Sequence, residues 1–174
     1  MALSASGLFV QTFTKIVTNG FTTPINLSGS TGATYKLALI NNSATPVFAT
    51  DTAYVAGSGT YGANEVTGTG WNAGNAGGVS LSAAANGATS VVPTITTTAD
   101  NGGIKYDHTN DISVASTTLQ NIYGCFIHTN SNNGATTNPL ICLIYFGGLP
   151  YSTSAGVFGI SWATGGVFSV DLTP

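Results

Sequence analysis

Electric charge is scarce in this chain, and that scarcity limits what can hold its fold together. Only nine of the 174 residues are charged, three of them lysines and six of them Asp or Glu, and there is no arginine. An average domain has about a quarter of its residues charged. Salt-bridge networks therefore cannot stabilise the fold. Three lysines also cannot neutralise a run of phosphates, which excludes nucleic-acid binding as the main activity.

The remaining composition favours β structure. Hydrophobic residues make up 43% of the chain, enough for a buried core, so disorder of the charged, polar kind does not fit. Thr, Val, Ile, Tyr and Phe favour strands, while the 23 glycines and many asparagines favour the turns between them. A nearly uncharged surface repels other proteins weakly, which suits a component of an assembly better than a free enzyme.

The first segment has a helical pattern. Its apolar residues recur at i, i+4, i+7 and i+8, the spacing of one helix face: Phe9, Phe13, Ile16 and Val17. This spacing predicts a helix over residues 6–18, capped by Ser4 or Ser6 and ending near Gly20. A strand remains the alternative, because Phe9, Gln11, Phe13 and Lys15 also alternate.

The rest of the chain has a succession of short strand patterns separated by turn residues. We expect strands at residues 35–41, 65–67, 78–81, 90–98, 112–119, 122–128, 140–146, 157–162 and 167–172. Such a series is typical of a β-sandwich or a barrel. We predict an all-β fold, a β-sandwich of jelly-roll or Ig-like type over residues 21–174. An N-terminal arm, residues 1–20, would carry the short α-helix.

The last two strand patterns predict a hairpin. Each has alternating apolar residues, and a three-residue loop at residues 164–166 would place Trp162 opposite Phe168 with every facing pair apolar. Loops of this length often end in a left-handed residue, so Gly166 is expected at positive φ.

The two cysteines come from neighbouring strand patterns. If the loop at residues 130–138 joins antiparallel strands about its centre, Cys125 and Cys142 fall almost opposite each other. We nevertheless expect free thiols, because a chain made and used without secretion stays in a reducing compartment.

The sequence offers little for catalysis. His108 is expected in a solvated loop and His128 at the rim of a strand, and there is no G-x-S-x-G nucleophile motif. The Asp- and Gly-containing stretch at residues 100–103 reads as a turn, since its spacing does not match a calcium loop. A carboxylate pair that includes Glu65 is the catalytic arrangement left open. The prediction is a protein with no catalytic residues, no cofactor and no metal site.

Aromatic side chains are the remaining candidates for contact with a partner or a sugar: Tyr61, Trp71, Tyr151 and Trp162. The alternating pattern around Trp162 favours a core position. For Trp71 a core anchor and an interface position both remain open. In the block Glu65 to Trp71, two glycines two apart allow a sharp turn that would place Trp71 against the sheet.

Membrane insertion is not indicated. The most apolar run, residues 140–149, is far short of the roughly 20 residues that a membrane helix needs. The first charge is Lys15, so no basic region of a secretory signal precedes the first apolar residues. We expect no membrane partner.

Several blocks, in this order, resemble a family of small bacteriophage virion proteins. The first is a short helix ending in Asn-Gly (residues 9–20), and the second is a strand of the type YKLALINNSATP (35–46). The block NEVTGTGW with the Gly-rich sequence after it follows (64–79), then the run NPLICLIYFGG (138–148) and the closing DLTP (171–174). The family usually has Tyr at the position of Trp71, and an acidic residue near that of Tyr145.

The resemblance implies a capsid decoration (cement) protein, with a minor tail or tail-fibre component as the alternative, and it transfers no catalytic residue. The expected partners are the major capsid protein and two further copies, as a homotrimer, because icosahedral lattices present three-fold sites. The expected location is the capsid exterior, after assembly in the host cytoplasm. The candidate anchor and interface residues are Phe9, Phe13, Glu65, Trp71 and Trp162.

Overall fold

The computed structural model is an all-β fold with a short N-terminal helix, as the sequence predicts. It describes residues 2–18, 20–21, 25, 35–71, 79–80, 93–97, 103–108, 111–129, 132–133 and 136–171. The helices are α1 (Val10–Val17) and α2 (Gly59–Gly62). The strands are β1 (Gly7–Leu8), β2 (Tyr35–Ile40), β3 (Glu65–Val66), β4 (Val79–Ser80), β5 (Pro93–Thr97), β6 (Gly103–His108), β7 (Ile112–Ile122), β8 (Gly124–Thr129), β9 (Asn132–Asn133), β10 (Thr136–Thr137), β11 (Leu140–Tyr145), β12 (Tyr151–Ile160) and β13 (Phe168–Asp171).

The largest sheet is antiparallel and has the order β1-β11-β8-β2-β3, with β4 also on β2. All residues of β2 and β8 are buried, so this sheet is covered on both faces. Odd-numbered β2 residues such as Leu37 enter a first core, and the even-numbered Ala38 and Ile40 enter a second one. This separation follows from the two-residue period of a strand.

Two smaller sheets cover the first core. β7 pairs with β12, and β13, β6 and β5 form a three-stranded sheet. Ile112 and Phe158 belong to the same buried cluster as Leu37 of the large sheet. Antiparallel sheets therefore surround the first core. Its assignment as jelly-roll or Ig-like stays a prediction.

The segment before β2 packs closely on the large sheet. β1 pairs with β11, so that Gly7 lies opposite Leu143, and Leu3 and Phe9 are fully buried in the second core. The helix α1 begins after Phe9, which acts as N-cap without a side-chain hydrogen bond. Ser4 and Ser6 therefore do not cap it. The division between residues 1–20 and 21–174 stays a prediction.

The helical interpretation of this segment is confirmed for Val10–Val17, but its expected start at residue 6 is wrong, because Gly7–Leu8 form β1 and Phe9 precedes the helix. Gly20 N donates to Lys15 O at 2.7 Å and closes the end of α1. Phe13 and Ile16 pack against the first core, but Val17 is 83% exposed. Val17 lies in the last turn of a helix only eight residues long, where nothing in the described chain covers it.

The expected C-terminal hairpin does not form. β12 pairs with β7, which places Phe158 opposite Val114, and β13 pairs with β6, which places Phe168 opposite Tyr106. Apolar alternation shows which face of a strand is buried, but it does not choose among several apolar partners. Neither the position of β6 as a strand nor its pairing was expected from its sequence, which contains Lys105 and Asp107.

Gly166 has positive φ, as expected, although the turn joins two sheets and not two paired strands. Its φ is 80°, its N–H donates to Ala163 O at 2.8 Å, and Val167 N then donates to Tyr106 O at 2.9 Å. A Cβ added to Gly166 would lie 2.6 Å from the carbonyl oxygen of Tyr106, whereas a Cβ on Gly165 would meet nothing within 4 Å.

These two glycines give a matched test. Gly166→Ala should lower the free energy of unfolding by about 1–3 kcal/mol, because the left-handed backbone is strained for alanine and the Cβ meets Tyr106. Gly165→Ala should change it by less than about 0.5 kcal/mol. Urea denaturation midpoints measure both. Equal stability of the two variants would contradict this description of the turn.

Candidate functional site

Trp71 is held by a tight turn, as the spacing of Gly68 and Gly70 predicted. Gly68 N donates to Trp71 O and Trp71 N donates to Gly68 O, both at 3.1 Å, so that Thr69 and Gly70 form a two-residue loop. Gly70 has φ of 76°. The turn rests on β7, where Thr118 N donates to Thr69 O at 3.1 Å.

Gly68 allows the close approach that buries Trp71. A Cβ on Gly68 would lie 2.1 Å from the carbonyl oxygen of Thr118. Trp71 is fully buried, and its ring meets that of Phe158 edge-on, with centroids 5.3 Å apart. Of the two positions left open for Trp71, the structure shows the core anchor.

The two candidate phenylalanines occupy different cores. Phe9 is fully buried in the second core between Phe48 and Tyr61, with ring centroids 5.4 and 5.5 Å away. Phe13 is half-buried on the first core and meets Phe168 edge-on at 5.6 Å. Neither ring is a large exposed contact, and their role at an interface stays a prediction.

Glu65 lies in β3 and accepts a hydrogen bond from the hydroxyl of Tyr54 at 2.5 Å. Its second oxygen, Oε1, is buried without a hydrogen-bond partner. Burial raises the pKa of Glu65, and the bond from Tyr54 opposes this rise without cancelling it. The pKa of Tyr54 is raised as well, by burial and then by the adjacent carboxylate.

Asp51 forms a similar pair nearby. It accepts from the hydroxyl of Tyr61 at 2.6 Å and from the backbone N–H of Val47 at 2.8 Å. Tyr61, one of the aromatic candidates, is buried, and burial raises its pKa. Both carboxylates thus bind tyrosines of the second core, and both fix the connection between β2 and β3.

The two histidines lie on different strands, His128 on β8 and His108 on β6. His128 is buried and stacks on Tyr54 with ring centroids 4.5 Å apart, so its expected rim position is wrong. β8 is an interior strand, which puts its even-numbered residues into the second core. His108 ends strand β6 and does not lie in a loop. Asp100 and Asn101, of the expected turn, lie outside the described residues.

Among the residues that the structure describes, no group of three His, Cys, Asp or Glu side chains lies close enough to hold a metal ion. Cys125 and Cys142 are free and buried in the first core, and burial raises both pKa values, that of Cys142 to about 12. They are not opposite each other. Cys142 faces Ile127 and Cys125 faces Ile144, an offset of two residues, of which the bulge between Leu140 and Cys142 contributes one.

An apolar groove of about 400 Å³, which we call the Trp162 groove, lies on the surface. It opens between β11 and the segment that follows β12. Eight aliphatic or aromatic side chains line it: Ile144, Phe146, Tyr151, Phe158, Ile160, Trp162, Ala163 and Val167. Trp162 was expected in the core, but it is only half-buried. Its backbone N–H donates to Asp111 Oδ1 at 3.0 Å.

The residues that line the Trp162 groove are uncharged. Two charged residues are bonded to its edge: Asp111 accepts from the backbone N–H of Trp162, and Lys105 Nζ donates to Thr164 O at 3.0 Å. Residues 112–170 contain no Lys, Arg, Asp or Glu. Two exposed apolar side chains lie close to it in sequence, Leu149 at 79% exposed and Val157 at 63%. The sequence signal for this surface is Leu149, an apolar residue directly after two glycines. Leu149 lies outside every expected strand, so the strand patterns do not reveal it.

No protein-family model, no curated protein and no solved structure matches this chain. No helix in the described part of the chain is long and apolar enough to cross a membrane. The site residues are therefore interpreted from their own geometry. The five candidates do not form one site: Trp71 and Phe9 are internal, Glu65 binds Tyr54, Phe13 is half-buried, and Trp162 lines the groove.

The raised pKa of Glu65 makes stability depend on pH. A carboxyl that binds its proton more tightly in the folded state contributes stability below its unfolded pKa, near 4.5, and this contribution is lost as the pH rises through the folded pKa. Glu65→Gln cannot titrate. We expect it to match the wild type at acid pH and to be the more stable of the two at neutral pH.

Urea midpoints between about pH 4 and pH 8 measure this difference. Tyr54→Phe is the companion variant. It removes the bond that favours the carboxylate, so the pH range over which stability falls should move upward. Parallel pH profiles for the wild type and Glu65→Gln would contradict the assignment.

Proposed function

We propose that this chain is a structural protein of a bacteriophage particle. Its role would be that of a capsid decoration protein, which binds the major capsid protein on the outside of the head as a homotrimer. The resemblance of its sequence blocks to small virion proteins suggests this role. The observation that supports it is the uncharged, apolar Trp162 groove with the exposed Leu149 and Val157 beside it.

The mechanism would be burial of surface without chemistry. Apolar surface removed from water contributes roughly 25 cal/mol per Å², and a stable interface buries about 1,200–2,000 Å² in total. The described carboxylates Asp51 and Glu65 bind tyrosines, and the thiols are buried with raised pKa values. These groups thus have structural partners or positions in the fold, which supports a role in assembly over a role as an enzyme.

The large sheet is suited to a protein under mechanical tension. A decoration protein would resist the outward pressure of a packaged genome by holding neighbouring capsid subunits together. Tension across β2, β8 and β11 would act on a ladder of backbone hydrogen bonds shielded from water on both faces. Shielded ladders open only when the packing on both sides is lost.

The decisive experiment adds the purified chain to phage heads assembled without it. We expect it to bind in hundreds of copies on the outer surface and to raise the temperature at which the heads release DNA. Copy number follows from quantitative mass spectrometry and position from a density map. Heads that bind none of the chain would contradict the proposal.

The alternative is a minor tail or tail-fibre component that contacts host glycans. The exposed Tyr151, beside Trp162 in the groove, favours it, since aromatic faces stack on sugar rings. A handful of copies per particle, located on the tail, would support this alternative and would exclude decoration.

A further inference from the structure

We propose that the Trp162 groove is a contact surface between copies of this chain, in which Leu149 of one copy fills the groove of the next. The inference deepens the homotrimer part of the proposed function and rests on that part. It does not depend on what the trimer binds.

The groove is an incomplete piece of core. Phe158 and Ile160, which form one wall, belong to the first core, and Ile144, Phe146 and Val167 of the other walls pack against that core while remaining half-exposed. A space of about 400 Å³ has the size of an occupied binding site and could hold several aliphatic groups. Covering it would remove aromatic and aliphatic surface from water.

Leu149 is well placed to fill such a groove in another molecule. It stands in the turn between β11 and β12, after Gly147, whose φ of 93° turns the chain outward. Its side chain is 79% exposed and is not among the groove's own lining residues. Phe146 and Tyr151, on either side of this turn, do line the groove, so the projecting leucine and the hollow lie on neighbouring parts of one surface.

The charge pattern favours a second copy over a different protein. In a ring of identical subunits, a residue near the symmetry axis approaches its own copies, so any charge there meets a like charge. None of the residues that line the groove is charged. At its edge Lys105 is paired with Asp107 and bonded to Thr164 O, and Asp111 accepts from the backbone N–H of Trp162, so these charges already have partners within the chain. An uncharged surface is complementary to itself, whereas a charged partner would lose hydration there without gaining an ion pair.

A sugar is the weaker candidate for this groove. The side-chain hydroxyls among its lining residues belong to Tyr151 and Ser161, and no lining residue has a carboxylate or an amide group. A saccharide has many hydroxyls that need partners when they are buried. The apolar side chain of a leucine needs none.

The first experiment compares Leu149→Asp with the matched variant Val55→Asp. Val55 is also exposed, at 55%, but it lies in a turn beside Tyr61 and the second core, away from the groove. Analytical ultracentrifugation of the full chain should show a trimer for the wild type and for Val55→Asp. Leu149→Asp should weaken association by at least about tenfold, since burying a charge opposes the contact that a leucine makes. Circular dichroism checks that both variants are folded.

A second experiment identifies the contact directly. Leu149→Cys and Ser161→Cys are purified separately, mixed and oxidised, and only a contact between different copies can give the mixed cross-linked dimer. The native thiols are buried and should not react. Acrylamide should also quench Trp162 less in the associated form, while the fully buried Trp71 is protected throughout.

The outcomes separate this inference from the proposed function. Unchanged association of Leu149→Asp, or absence of the mixed cross-link, would overturn the groove contact even if a trimer forms. A wild-type chain that stays monomeric at high concentration would overturn it as well, and if that monomer still bound phage heads, the decoration function would stand without it. Saturable binding of a sugar that protects Trp162 in a monomer would overturn the inference in favour of the glycan alternative.

Discussion

The fold depends on burying both faces of one sheet. With nine charged residues in the chain, ion pairs contribute little, and the pair between Lys105 and Asp107 at 3.0 Å lies away from the large sheet. β2 and β8 send alternate side chains into two separate cores, so one pair of strands organises both. The strands β7, β11 and β12 and the helix α1 also contribute residues that pack on the first core. A one-residue slip of β2 against β8 would move the side chains of the first core to the second core and those of the second core to the first.

The sequence predicted the elements whose environment is visible in their own residues. The apolar run at residues 140–146 predicted the strand β11, and the glycine spacing before Trp71 predicted its tight turn. What failed were choices that depend on distant partners. The even-numbered residues of β8 include His128 as well as Phe126, and only the connection that supplies Tyr54 shows why a histidine is buried there. The register between β8 and β11, including the bulge that adds one residue to the offset between Cys125 and Cys142, has no local signal.

The polar residues of the second core illustrate the same limit. Nothing near Glu65 in sequence indicates that Tyr54 donates to it, since the two residues come from different ends of a long connection. A buried carboxylate is costly unless it is hydrogen-bonded. Tyrosine is a suitable donor in a chain this poor in lysine and arginine, because it brings a hydroxyl together with a large apolar ring. Asp51 and Tyr61 repeat this arrangement, which suggests that tyrosine replaces basic residues as the partner of carboxylates in this fold.

The wrong hairpin and the Trp162 groove have one origin. A hairpin of β12 and β13 would have placed Trp162 against Phe168 and closed the space between them. Instead the two strands join different sheets, β12 beside β7 and β13 beside β6, and the chain from Ser161 to Val167 must cross from one sheet to the other. Gly166 permits that crossing, since its positive φ and the bond from Val167 to Tyr106 attach the segment to β6. The crossing segment forms one wall of the groove and β11 another, so Trp162, which was expected to pair with Phe168, is left half-exposed at the groove while Phe168 stacks on Tyr106.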